Sequence, residues 1–217
     1  VTASVGSLAQ IKSVEGDLVV ESVLTADARA ETWGAAAGLA AIGGSESFAD
    51  ADGTVTTEAA GELTARNILV TSTAKTTAVT TARGLAGGLA LGVGGTGAIS
   101  NASPSVTSRV GSASTLDVAG RTTVEAQVTP QAVSNAWGVA VTGGVGVGVA
   151  NSRATASPTV TASYHSQGQQ LGTDTSGLNV TATMHQPASG HTADADATAG
   201  SGGVAVGAMG ATALATS

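Results

Sequence analysis

The stretch "LALGVGGTGAIS", residues 89 to 100, decides how this chain is read. Gly92, Gly94 and Gly97 satisfy G-x-G-x-x-G, the spacing of a dinucleotide-binding turn in which glycines let the backbone approach a pyrophosphate. The chain carries its own control. A shift of 54 positions aligns, without a gap, Val70 with Val124, Ala78 with Ala132, Gly84 with Gly138, Gly92 with Gly146, Gly94 with Gly148, Ala102 with Ala156 and Thr107 with Thr161. In that copy the stretch reads "VGVGVAN", and Asn151 stands where the fingerprint needs Gly97. No helix signal follows either, because "AISNASPSVTSRV" (98 to 110) alternates and contains Pro104. A phosphate loop requires a strand-to-helix context, so the dinucleotide reading is rejected and no cofactor-binding residue is expected.

The same comparison exposes the organisation of the whole chain. A shift of 50 brings Val20 onto Val70, Ala28 onto Ala78 and Gly34 onto Gly84; one of 56 brings Val124 onto Val180. A shift of 59 brings Gly143-Gly144-Val145 onto Gly202-Gly203-Val204. The 217 residues therefore read as one continuous array: a partial unit at 1–16, repeats at 17–66, 67–120 and 121–177, and a partial fourth at 178–217. Repetition at fixed spacing marks architectures in which each unit buries its apolar surface on the next.

Three textures recur inside a unit. The first is a Thr/Ala/Ser run such as "VTSTAKTTAVTTA" (70 to 82), rich in strand formers and without a helical stripe. The second is the glycine run: in "VAVTGGVGVGV" (139 to 149) valines occupy 139, 141, 145, 147 and 149, while the even positions are Ala, Thr and Gly. Side chains of an extended strand alternate between faces, so one face is apolar and the other nearly bare backbone. The bare face either lies inside, against a closely approaching sheet, or docks a neighbouring molecule; the internal reading is preferred, because interior glycine commonly marks close backbone approach. The third texture is a shorter strand, "SVTSRV" (105 to 110) or "TVTASY" (159 to 164), introduced by Ser-Pro. Turns are expected at 15–17, 59–62, 118–121 and 165–177, and "GAAAGLAAI" (34 to 42), though helix-prone, aligns with strand-like 84 to 92. The fold class expected is all-β, a β-solenoid (parallel β-helix) of repeats about 50 to 59 residues long, with one wide coil or two ordinary ones per repeat.

Composition agrees with a thin, repetitive core. Aromatics are 2% and charged residues 11% of the chain, against a typical quarter charged, so apolar burial must be spread over many small contacts. Disorder is disfavoured by 42% apolar residues and a positive mean hydropathy. The net charge of −7 argues against nucleic acid. It is uneven: residues 1–62 carry −8, residues 63–116 carry +4 and have no acid, and the remainder carries −3. Such an arrangement suits staggered association or a plain solvated surface. There is no cysteine, hence no disulfide frame or thiolate site. The apolar runs 84–99 and 136–150 are too short and too glycine-rich for a spanning helix. The opening "VTASVGSLAQ" lacks the regions of a signal peptide, and a chain that starts and stops in mid-pattern reads as a piece of something longer.

Reactive constellations are sparse. His165, His185 and His191 lie in loop-like sequence; His185 and His191 with Asp194 and Asp196 match no metal-ligand spacing. Asp50-Ala51-Asp52-Gly53 resembles the start of a calcium loop with Glu58 as closing acid, but Thr and Val fill the ring positions between, and an acidic turn is expected. No catalytic and no metal residue is assigned, and an enzyme is not expected. Thr-x-Thr pairs at 54/56, 71/73, 159/161 and 181/183 would form hydroxyl ladders on stacked strands, a motif similar to ice-binding faces.

The order of textures, a Thr/Ala/Ser strand, then "GLAGGLALGVG" or "WGVAVTGGVGVGVAN", then "SPSVTSRVGSASTLDVAGRTTVEA", resembles the repeat regions of very large bacterial surface and secreted adhesins of the filamentous-haemagglutinin kind. The resemblance implies a right-handed parallel β-helix, an extracellular or cell-surface location, and a role in adhesion, fibre or biofilm-matrix structure. It carries over no functional residue, and the charged first repeat and His-bearing fourth depart from it. The function expected is a structural fibre or stalk segment that self-associates, with cell-surface glycans as further partners. The alternative is a ligand-binding module for carbohydrate or ice.

Overall fold

The computed structural model describes residues 1–166, 177–203 and 206–217, together with the backbone of 169–171. The expected turn at 165–177 falls largely outside these residues, as does Val204. Among the described residues eleven strands follow one another: β1 (Thr2–Val5), β2 (Gln10–Asp50), β3 (Thr54–Ala102), β4 (Ser105–Val118), β5 (Thr122–Thr142), β6 (Val145–Ala156), β7 (Thr159–Tyr164), β8 (Gln169–Leu171), β9 (Leu178–Met184), β10 (Ala193–Gly203) and β11 (Val206–Thr216). All belong to one curled sheet. Every pairing in it is parallel. Among the described residues there is no helix, so the helix-prone 34–42 is extended, within β2.

The strands pair at the spacing of the internal repeats. Val20 lies beside Val70 and Gly34 beside Gly84. Val70 lies in turn beside Val124, and Gly94 beside Gly148. Thr107 sits beside Thr161 and Val124 beside Val180. The fourth copy corrects one expectation. Gly202 pairs with Val141 and Val206 with Val145, a spacing of 61 rather than 59. The extra length is taken up by the loop at 185–192, where Gly190 adopts φ +80 and its amide closes a turn on Pro187. The same loop accounts for a proline in the middle of β5. The amides of Thr122 and Ala132 donate to Gly177 and Thr192 of the following layer. Pro130, of the same parity, would donate to that layer where the loop interrupts it, so its missing N–H leaves no ladder bond unmade. The expected turns at 15–17 and 59–62 coincide with register shifts, the second at Gly61, whose φ of +96 a residue with a Cβ rarely adopts.

What lies inside is graded. Along β3 burial alternates for most of its length, and the even positions from 68 onward face inward except at Gly88 and Ala90, where the strand turns from one wall to the other. Leu63, Ile68, Val70, Val110, Leu116, Val118 and Val124 form one cluster. Next come Val55, Ala74, Val106, Ala126 and Val128. Beyond them the packing is alanine alone, first around Ala78, Ala102, Ala132 and Ala154, then around Ala82, Ala98, Ala136 and Ala150. Last come glycines: Gly94 lies where an added Cβ would be 2.5 Å from the carbonyl oxygen of Val139, and Gly84 where it would be 2.9 Å from that of Gly95. The sequence of volumes, Leu and Ile, then Val, then Ala, then Gly, follows two walls of the sheet that converge until backbone meets backbone. The bare face is therefore internal, as preferred from the sequence.

Between the walls sit small hydroxyls, several of which satisfy one another or the opposite backbone, while those of Thr76, Thr122 and Thr142 have no protein partner. Thr80 and Ser100 are 2.7 Å apart, Ser134 donates to the carbonyl of Ala98 at 2.7 Å, and Ser152 donates to that of Ser134 at 2.6 Å. Ser and Thr fit here because they fill little more space than alanine while bridging facing walls.

Convergence makes a paired prediction. Gly94→Ala should destabilise the protein by about 1–3 kcal/mol, since its methyl has no room and the obstacle is backbone. Gly95→Ala, with nothing within 4 Å of the new atom, should be neutral or slightly stabilising. Denaturant midpoints of the two variants measure the difference.

Candidate functional surface

If glycine and alanine line the inside, the large apolar residues of the same strands must lie outside. Leu39, Ile42 and Leu89 are 71%, 76% and 75% exposed, and Leu85, Val141, Val145 and Val149 are exposed as well. They clothe both outer faces of the narrow, glycine-packed part of the sheet. Burial is thus inverted there, because the inner side has no space for a branched side chain.

The same outward parity creates columns of identical orientation running across the layers. One is made of Thr2, Thr56, Thr107 and Thr161, beside a second of Thr54, Ser105 and Thr159, so two of the expected threonine pairs do stack. The other two do not: Thr71 and Thr181 flank Glu125, and Thr73 and Thr183 flank Gln127.

A different column gathers the chain's two tryptophans. Trp33 pairs with Arg83, and Arg83 with Trp137. The Arg83 guanidinium lies 4.7 Å from the centroid of the Trp33 ring, a cation–π contact, and also donates to Glu31 Oε1 at 3.2 Å. The Trp33 indole N–H donates to the same oxygen at 3.2 Å. These three side chains hold one another on an open face. Around them is a groove of about 700 Å³, lined also by Leu85, Asn135 and Asp196. The sequence motifs taken singly point to none of this, but shifts of 50 and 54 place Trp33, Arg83 and Trp137 in one register.

The uneven charge resolves into neighbouring layers. Arg66 bonds Asp17 at 3.2 Å, Arg83 bonds Glu31 and Arg109 bonds Glu58 at 2.7 Å, so three bases of residues 63–116 pair with acids of residues 1–62. All are at the surface, where solvent and salt screen such pairs, so they add little to stability. Asp17 is held below the ordinary carboxylate value, first by the Asn67 amide and then by Arg66.

The remaining candidates stand apart. Glu58, considered as a calcium-loop closer, is engaged by Arg109. Asp52 instead accepts the backbone N–H of Ser103 at 3.0 Å. The Asp50 carboxyl is raised above its usual range, first by desolvation and then by the charge of Asp52. His165 and His185 follow the ends of β7 and β9, and His191 lies in the 185–192 loop. Asp194 and Asp196 sit on β10 opposite Val133 and Asn135. Among the described residues no three His, Asp or Glu side chains converge on a metal-sized site. Gly92 and Gly94 are buried mid-strand and Gly97 lies beside the Glu46 side chain, so the glycine fingerprint forms no turn. No described helix is long and apolar enough to cross a membrane. Compared with known proteins, the chain matches no family model, no curated protein and no solved structure.

Because desolvation outweighs the neighbouring charge at Asp50, Asp52→Asn should lower the Asp50 pKa only in part, leaving it above the ordinary carboxylate value. A raised folded pKa means that ionising Asp50 costs stability as pH rises through it, so the variant should lose less stability over that interval than the parent. A carboxyl-detected NMR titration with paired melting curves reads both effects.

Proposed function

We propose that the chain is a β-solenoid, wound right-handed with one coil per repeat, and that it serves as a non-catalytic structural segment of an extracellular bacterial fibre, stalk or matrix protein. The observation that carries this reading is the register: neighbouring strands pair in parallel at spacings of 50 to 61 residues, and equivalent residues of successive repeats lie side by side. A stack built this way is stiff along its axis, because every layer is hydrogen-bonded to the next over most of its length. The right hand rests on the resemblance and on the strong preference of parallel crossovers for that sense. Cell-surface location and adhesion rest on the resemblance alone.

Self-association belongs to the proposal and has a physical basis in two features. Outermost layers present unpaired strand edges, and the narrow part of the sheet presents leucine and valine on both faces. Lateral contact between such faces would remove from water the side chains that the tapered interior has no room for.

Sedimentation velocity tests it. The chain should form larger species as concentration rises, with little sensitivity to salt, and Leu89→Lys with Val141→Lys should shift the distribution toward monomer without changing the β circular dichroism. A monomer that persists at high concentration would exclude self-association, and larger species whose frictional ratio does not rise with mass would exclude the fibre-segment reading.

A further inference from the structure

We propose that the Trp33–Arg83–Trp137 column and its groove bind a neutral oligosaccharide, stacking two rings of one sugar chain on the two indoles. In a chain with only two tryptophans among 217 residues, both occupy one outward column, separated by a single layer. An indole left 70% exposed, as Trp33 is, has no packing role inside the fold. It is nevertheless held in place, by its N–H bond to Glu31 and by the guanidinium over its ring. A rigid, solvent-facing aromatic surface binds without first losing conformational freedom.

The polar groups point to the class of ligand. Arg83 supplies donors only, Asp196 acceptors only, and Asn135 both, which matches hydroxyls that donate and accept at once. Arg83 is already paired with Glu31, and Asp196 adds one further negative charge to the groove, so a phosphate-rich ligand is disfavoured and a cationic one meets only a single unpaired carboxylate. What remains is a neutral molecule with apolar ring faces and a hydroxylated rim, the description of a pyranose. Two layers of a parallel sheet separate the indoles by about 9.5 Å along the stack, too far for one ring and suited to two rings of an extended chain. The groove volume, about 700 Å³, accommodates a short oligosaccharide. Nothing in this depends on whether the chain polymerises.

The test uses the whole chain and its own fluorescence, which reports on this column because it holds every indole. Titration with cellotetraose, chitotetraose, mannotetraose and maltotetraose should give a saturable shift in tryptophan emission for at least one. By calorimetry, Trp33→Ala and Trp137→Ala should each weaken that binding about tenfold. Arg83→Lys, which keeps the charge but loses the planar fork, should weaken it as well, while Leu39→Ala, outside the groove, should leave it unchanged. The altered side chains lie outside the core, so unchanged melting curves will show that the fold is retained. No saturable shift with any of the four sugars, affinity undiminished in the Trp33→Ala/Trp137→Ala double variant, or binding confined to sulfated glycans or to peptides would overturn the proposal.

Discussion

Two walls of one sheet converge, and the space between them decides which side chain each inward position can carry. At the wide end there is room for Leu63, Ile68 and Leu116; midway there is room for valine; beyond that for alanine; at the narrow end only for glycine. Each step removes a methyl or more from the core, so hydrophobic burial per residue falls along the taper and hydrogen bonding must carry more of the load. The parallel ladders and the short Ser–Thr bridges between walls supply it. A chain with 2% aromatics can hold a fold together on these terms because its core asks for few large residues.

The outside of the molecule is a consequence of the inside. Alternation forces every residue excluded from the narrow interior onto the opposite face, which is why leucine, isoleucine and valine face water on the strands where glycine faces backbone. Charge follows the layers in the same way. Three acids of residues 1–62 and three bases of residues 63–116 are separated by some 50 residues along the chain but by one strand spacing across the sheet, so part of the polarity visible in the sequence is neutralised locally on the surface.

Much of this was legible in the sequence, for identifiable reasons. Shifts of 50, 54 and 56 identified neighbours residue for residue, because Val, Ala and Gly at matched positions occupy matched places in the taper. The fourth copy was misplaced by two residues: sliding a Gly/Val alternation by two preserves its parity, so the pattern carries no information against the slip. Parity separated a bare face from an apolar one, and close backbone approach correctly put the bare face inside. The gradient along the core was missed, since it emerges only when inward positions from different segments are set side by side. The Trp33–Arg83–Trp137 column was missed for a simpler reason. Its members differ in type, and a search for identities across repeats passes over a place where the unlike residues are what matter.

The separation between partners also bears on how such a chain comes to be ordered. A first pair of strands must close a loop of about fifty residues before any ladder bond forms, and that entropy is repaid only when a long stretch zips together. Afterwards the exposed edge of each finished layer is a template for the next segment, which joins it a few residues at a time. Nucleation is slow and growth is quick, so a polypeptide of this design gains by folding progressively from one end as it emerges rather than all at once.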